Sequence, residues 1–248
     1  MDLIIFSGQS NMQGQTESLP DTTPVEGAQE YLMNSDSLVP LAHPVGEKIG
    51  ENGVLIHPHL MYGCMLPDFA KAYLKESGRE MVAVHAAKGA TSIAQWLKNS
   101  PEGDERYRAL VEKITGAKKK VPDYENFYFV WLQGESDAGR FTSYEDYKKM
   151  LIQLKNDLKA DVGIDKFLVI SVGYFPHYSS ATKEDDERIM KAQADVCAED
   201  SDFVMLTDVT KKLSLDKQYI NPDARGHYNN KAMTIIGETA GKAAAKLR

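Results

Sequence analysis

Residues 3 to 14 read Leu3-Ile4-Ile5-Phe6-Ser7-Gly8-Gln9-Ser10-Asn11-Met12-Gln13-Gly14. An apolar run without alternation is the pattern of a strand covered on both faces. It breaks into small and polar residues, with Gly8 and Gly14 permitting tight turns on either side of Ser10. A serine directly after such a strand is placed at the sheet edge. A helical turn starting there would aim its free N–H groups at whatever occupies that edge.

The same strand-then-turn pattern recurs along the chain. Further strands are predicted at Met81–His85, Phe127–Leu132, Phe167–Val172 and Phe203–Leu206. Helices are predicted at Leu66–Lys75, Thr142–Ala160, Asp185–Ala198 and Lys231–Leu247. The second of these is the clearest, with Tyr147, Leu151, Leu154 and Leu158 at helical spacing and Thr142 and Glu145 in capping-box positions. Strand–helix alternation implies an α/β fold: a mostly parallel five-stranded sheet with helices on both faces. Right-handed crossovers put the strand C-terminal ends along one edge, where sites of open α/β sheets lie. Residues 15 to 60 carry Pro20, Pro24, Pro40, Pro44 and Pro58 and read as a long irregular excursion over the site. No repeat or low-complexity linker divides residues 1–248, so the expectation is a single domain.

The chain has 29 Lys and Arg against 36 Asp and Glu, a net charge of −7. That balance argues against a nucleic-acid or anionic-membrane partner, both of which need a cationic surface. No apolar run approaches the roughly 20 residues needed to span a bilayer. The N-terminus lacks the basic and apolar regions of a signal peptide, so a cytoplasmic location is expected, or a secreted or periplasmic one if a leader was removed. Cys64 and Cys197 are expected to be reduced, and neither they nor the histidines have zinc spacing.

Three further segments carry chemistry-bearing residues at strand ends or before a helix. His85-Ala86-Ala87-Lys88-Gly89-Ala90-Thr91-Ser92 follows the second strand. Gly89 lets a ligand approach the backbone, and its N–H suits an oxyanion; the plain reading is a capped strand-to-helix turn. His85 lies inside the strand and reads as a core histidine. Gln133-Gly134-Glu135-Ser136-Asp137 follows the third strand. The Gln133 amide suits a developing oxyanion, while Glu135 and Asp137 fit an acid/base pair or a supporting role. Two carboxylates without further ligands do not make a metal site. Asn221-Pro222-Asp223-Ala224-Arg225-Gly226-His227 precedes the last helix. An Asp shortly before a His can hold Nδ1–H and leave Nε2 for a serine hydroxyl; the plain reading is a helix-capping loop. Together the segments give the chain order Ser…Asp…His along one edge.

These blocks resemble the SGNH hydrolases, and more narrowly the sialate O-acetylesterase and carbohydrate esterase family 6 branch. The carriers are Gly8-Gln9-Ser10-Asn11-Met12, the Gly89 segment ending in Trp96, Gln133-Gly134-Glu135-Ser136-Asp137-Ala138 and the late Asp/His pair. The resemblance implies a flavodoxin-like three-layer α/β/α esterase with Ser10 as nucleophile and His227 as general base. It also implies an oxyanion hole of Ser10 N–H, Gly89 N–H and the Gln133 amide. Gln9, Asn11, Glu135 and Asp137 would bind substrate or support the site, and no metal or other cofactor is needed. The sequence departs from the family pattern at Ala90, where a second glycine is usual, and at Ala224, where the acid is usual. Asp223, one residue earlier, is the candidate acid; Glu135 sharing the role, or a backbone carbonyl orienting His227, are the alternatives. The expected activity is removal of O-acetyl groups from an acetylated carbohydrate of acetylxylan or sialate type. Hydrolysis of a non-sugar ester and a non-catalytic carbohydrate-binding relic are the rivals. The polar character of the 15–60 excursion favours a sugar over a lipid.

Overall fold

The computed structural model describes residues 1–50, 54–55, 62–175 and 181–247. Its sheet has seven strands among the described residues: β1 (Asp2–Gly8), β2 (Ala28–Leu32), β3 (Ser37–Pro40), β4 (Met81–Ala87), β5 (Phe127–Leu132), β6 (Lys166–Ile170) and β7 (Phe203–Thr207). The order is β3-β2-β4-β1-β5-β6-β7, parallel except for β3 against β2. Five of these strands are those expected from sequence. The other two correct the reading of residues 15–60 as wholly irregular: a short hairpin there extends the sheet by pairing Ala28–Glu30 with Met81–Ala83. Its strands were hidden because β3 is half-exposed and β2 mixes Gln29 and Glu30 with its apolar residues. The remainder of the excursion lies partly outside the described residues.

Eight α-helices are described: α1 (Ser10–Gln13), α2 (Leu66–Ser77), α3 (Asp104–Lys120), α4 (Glu135–Gly139), α5 (Tyr144–Asp161), α6 (Lys183–Glu199), α7 (Val209–Leu213) and α8 (Asn230–Ala244). The helix α3 was not anticipated. Its buried stripe of Tyr107, Leu110, Ile114 and Ala117 is interrupted by the buried Lys113 and surrounded by charge. On α5 the cap falls one residue later than expected: Ser143 Oγ accepts from Asp146 N–H at 3.1 Å, while the Thr142 hydroxyl donates to Asp137.

The sheet is covered on both faces, which is why its strands read as unbroken apolar runs. Along β1, Leu3 and Ile5 join the core under α3, α5 and α6, whereas Ile4 and Phe6 join the core under α2 and α8. The contact of α2 with α8 is backbone-close: a Cβ on Gly237 would lie 2.5 Å from Met65 O, and one on Gly241 would lie 2.4 Å from Phe69 O. Cys64 and Cys197 are both free thiols. No described helix is long and apolar enough to cross a membrane.

Candidate active site

Three adjacent strands end at one level. Gly8 is in register with Ala87 of β4 and Leu132 of β5. The chain therefore leaves the sheet toward Ser10, Gly89 and Gln133 side by side. The turn after β1 requires glycine at position 8, where φ is +146° and a Cβ would lie 2.0 Å from Leu132 O. Ser10 then opens α1 and is buried. Gly89 is held beside it, since a Cβ built there would sit 3.4 Å from Ser10 Cβ. The Gly89 N–H donates to the side-chain carbonyl Oε1 of Gln13 at 2.9 Å. A side-chain carbonyl thus occupies the N–H that the sequence reading assigns to an oxyanion. Sequence reasoning missed Gln13, because nothing in its spacing distinguishes it from the other polar residues of the turn.

The Gln133 amide, expected to face an oxyanion, is held by its neighbours. Its Nε2 donates to Thr91 O at 2.9 Å and to Asp137 Oδ2 at 2.5 Å, with a third acceptor, Gln9 Oε1, at 3.3 Å. The Tyr147 hydroxyl donates to the Gln133 backbone carbonyl at 2.8 Å, with the side-chain Oε1 as a second acceptor at 3.2 Å. An amide nitrogen has two hydrogens, and the acceptors around Nε2 use them in a fully buried setting. Gln133 thereby braces the turns after β1, β4 and β5. Gln9 completes the brace by accepting from Gly134 N–H and Ser136 N–H. Asp137 belongs to it too, accepting from Ile93 N–H at 2.9 Å and from Thr142. Burial raises the Asp137 pKa, opposed by the Gln133 and Ile93 donors. Among the described residues, no His, Cys, Asp and Glu cluster is placed to hold a metal ion.

His227 is carried on the loop before α8. The loop is closed by Asn221 N–H donating to His227 O at 2.8 Å and by a bridge between Ile220 and Tyr228. Asn221 Oδ1 accepts from Asp223 N–H and Ala224 N–H, while its Nδ2 donates to Gln15 O. That turn brings Ala224 O to 3.2 Å from His227 Nδ1. A carbonyl only accepts, so Nδ1 carries the hydrogen and Nε2 is the basic nitrogen. Asp223 itself is exposed on the loop. The extra residue between Asp223 and His227 is the reason: it turns a peptide carbonyl, not the carboxylate, toward the ring. Burial lowers the His227 pKa, and the Ala224 and Arg225 carbonyls pull the other way.

Asn11, next to Ser10, ties this loop to α1. Its Nδ2 donates to Gly226 O at 3.3 Å and to Glu135 Oε1 at 2.7 Å, and its Oδ1 accepts from Tyr228 N–H at 3.2 Å. The site thus gathers Gln9, Ser10, Asn11, Gly89, Gln133, Glu135, Asp137 and His227 at one sheet edge. It leaves Asp223 on its rim. His85 lies below, buried, with Nε2 3.0 Å from Met12 O and its pKa pushed down by burial to about 4. A cavity of about 630 Å³ adjoins the His227 loop, lined in part by Phe175, Ile220, Pro222, Arg225 and Gly226.

The sequence model of one family, described as carbohydrate esterase, sialic acid-specific acetylesterase, matches residues 1–246. The chain belongs to that family. This acetylesterase family member is accordingly a carbohydrate O-deacetylase, acting on acetylated carbohydrate. No curated protein sequence matches it significantly. Its fold is shared with solved structures of low identity. A protein from Arabidopsis thaliana has a TM-score of 0.74 at 19% identity, covering 98% of this chain and 96% of its own. NanS has a TM-score of 0.64 at 15% identity, covering 98% of this chain and 96% of its own. A carbohydrate acetylesterase from Xanthomonas citri has a TM-score of 0.59 at 16% identity, covering 98% of this chain and 55% of its own. The acetylesterase family member shares with them the α/β fold that sets its candidate site at the sheet edge.

Proposed function

We propose that the deacetylation runs through an acetyl-enzyme on Ser10, with His227 as the base. The observation that carries this reading is the Asn11 amide. It bonds the residues on both sides of His227 and so joins the base's loop to the turn that begins with Ser10. Ser10 Oγ attacks the acetyl carbonyl while its proton passes to His227 Nε2. The oxyanion that forms is met by backbone donors at Gly89 and Ser10, after the Gln13 carbonyl gives up the Gly89 N–H. His227 then returns the proton to the departing sugar oxygen, and the C–O bond to the sugar breaks. Water, losing a proton to His227, attacks the acetyl-enzyme; the acyl bond to Ser10 Oγ then breaks, His227 returns the proton to Oγ, and acetate leaves. Preorganised donors of this kind are typically worth about 100- to 1,000-fold each. Residues 1–248 act as one domain in this reading, and acetylxylan or an acetylated sialic acid is the substrate.

A serine-directed phosphonate tests it. The expected result is a single adduct on Ser10 by peptide mass spectrometry, together with loss of acetate release in Ser10→Ala. A Ser10→Ala variant with near-normal activity would remove Ser10 from the reaction. Acetate release from acetylated xylan, acetylated sialic acid and simple acetyl esters identifies the substrate.

A further inference from the structure

Glu135 is a buried acid outside the steps just described. It opens α4, its Oε1 accepts from Asn11 at 2.7 Å, and its Oε2 has no hydrogen-bond partner among the described residues. Holding a carboxyl this way is costly: burial raises the Glu135 pKa, and the Asn11 amide is the largest of the groups opposing it. The neighbouring Asp186 adds to that cost: its own pKa is raised to about 7, by burial first and by the Glu135 charge among the lesser causes.

The contact has a geometric consequence. The loop around His227 offers Asn11 an acceptor on one side, Gly226 O, and a donor on the other, Tyr228 N–H. Only one orientation of the amide serves both. Glu135 Oε1 lies on the Nδ2 side, so the reversed amide would set its own oxygen against both the carboxylate and the Gly226 carbonyl. Both Nδ2 hydrogens are thereby used, and a hydrogen bond to a carboxylate is among the stronger kinds. All of these groups are buried, so water is not at hand to replace a lost bond. Ala224 O fixes the rotation of the imidazole ring. Asn11 fixes the height and tilt of the backbone that carries it.

We propose that Glu135 is a positioning residue for His227, acting through the Asn11 amide. The proposal rests on the reading of Ser10 and His227 as nucleophile and base. The Glu135 carboxylate acts through that amide and not on the reacting atoms. It holds the amide that holds the loop, and so sets where Nε2 stands relative to Ser10.

The test compares Glu135→Ala, Glu135→Gln and Asn11→Asp by steady-state kinetics on one acetyl ester, with melting temperatures recorded for each. A displacement of about 1 Å at a reacting group can cost about 100-fold. Glu135→Ala should therefore lose kcat on that order while KM stays within about twofold, since the effect falls on the reacting geometry. Glu135→Gln keeps an acceptor for Asn11 Nδ2 and should recover kcat to within roughly tenfold of wild type. Asn11→Asp keeps the shape and the acceptor for Tyr228 N–H but removes both donors, so it should lose kcat like Glu135→Ala even if that variant folds poorly. Phosphonate labelling of Ser10, which also needs the base, should slow in parallel. The proposal is overturned if folded Glu135→Ala keeps kcat within about twofold, if the loss lies in KM, or if Glu135→Gln recovers nothing. An active Ser10→Ala would instead strike the underlying assignment of the nucleophile, a result separable from these.

Discussion

Replacing Asp223 by Asn should barely slow the enzyme. The ring nitrogen that a triad acid would hold is paired with Ala224 O at 3.2 Å, and Asp223 is exposed. What the substitution removes is one solvated charge near the loop. Two unit charges 4 Å apart in water interact by about 1 kcal/mol. That is an upper bound for an exposed carboxylate acting on a developing imidazolium, and it corresponds to about a fivefold change in rate. A true triad acid behaves differently: the same Asp→Asn change in serine proteases, which have another fold, costs about four orders of magnitude. The two expectations differ by about a thousandfold and need only kcat/KM on a chromogenic acetyl ester, measured at a pH where His227 is fully neutral. The companion variant is Asn221→Ala. It removes the acceptor that holds Asp223 N–H and Ala224 N–H, and so frees the carbonyl under His227 Nδ1. Asn221→Ala should cost more than Asp223→Asn. If Asp223→Asn loses a hundredfold or more with its fold intact, the carboxylate reaches His227 during turnover and the carbonyl-held dyad is wrong.

Three more outcomes follow from the geometry. Gln13→Ala frees the Gly89 N–H, a hydrogen bond worth about 1 kcal/mol net; kcat/KM for a small acetyl ester should rise a few-fold, and a fall would make Gln13 a substrate ligand. Gln133→Ala strips donors from Thr91 O and Asp137 Oδ2; buried groups left unpaired cost about 1–3 kcal/mol each, so the melting temperature should drop along with kcat. An unchanged melting temperature would restore Gln133 as an oxyanion donor. Finally, His227 must be neutral to accept a proton, and burial lowers its pKa. Activity should therefore persist below the ordinary imidazole range and fall only as pH drops through that lowered value; an acid limb of kcat/KM above about 6.5 contradicts it.

The central strands were readable because Leu3 to Phe6 and Phe127 to Leu132 are buried on both faces and carry no alternation to confuse with a helix. The hairpin β2–β3 was not, since an edge strand has polar residues where it meets water. The helix α3 was obscured by Lys113, a charge at a core position that pairs with Glu47 at 2.9 Å. At the site, chain position indicated which residues reach the sheet edge, and the structure gathers eight of the named ones there. Direction was another matter. Whether the Gln133 amide faces the cleft or Thr91 depends on partners 42 residues away in the chain. Whether Asp223 or Ala224 meets His227 depends on the turn that Asn221 imposes. Both are set by tertiary hydrogen bonds that leave no spacing rule in the sequence.

The backbone-close seat of α8 on α2 has a consequence for the order in which the chain becomes a hydrolase. Translation delivers Ser10 early and His227 late, and the loop bearing His227 runs directly into the Asn229 cap of α8. With Gly237 against Met65 O and Gly241 against Phe69 O, α8 has little room for a loose approach. Because the loop runs into its cap, the seating of α8 and the placing of the histidine loop against Asn11 are linked. On the reading of Ser10 and His227 as nucleophile and base, the two are brought together only once that helix is seated. On that reading, hydrolytic activity should track the seating of α8 on α2.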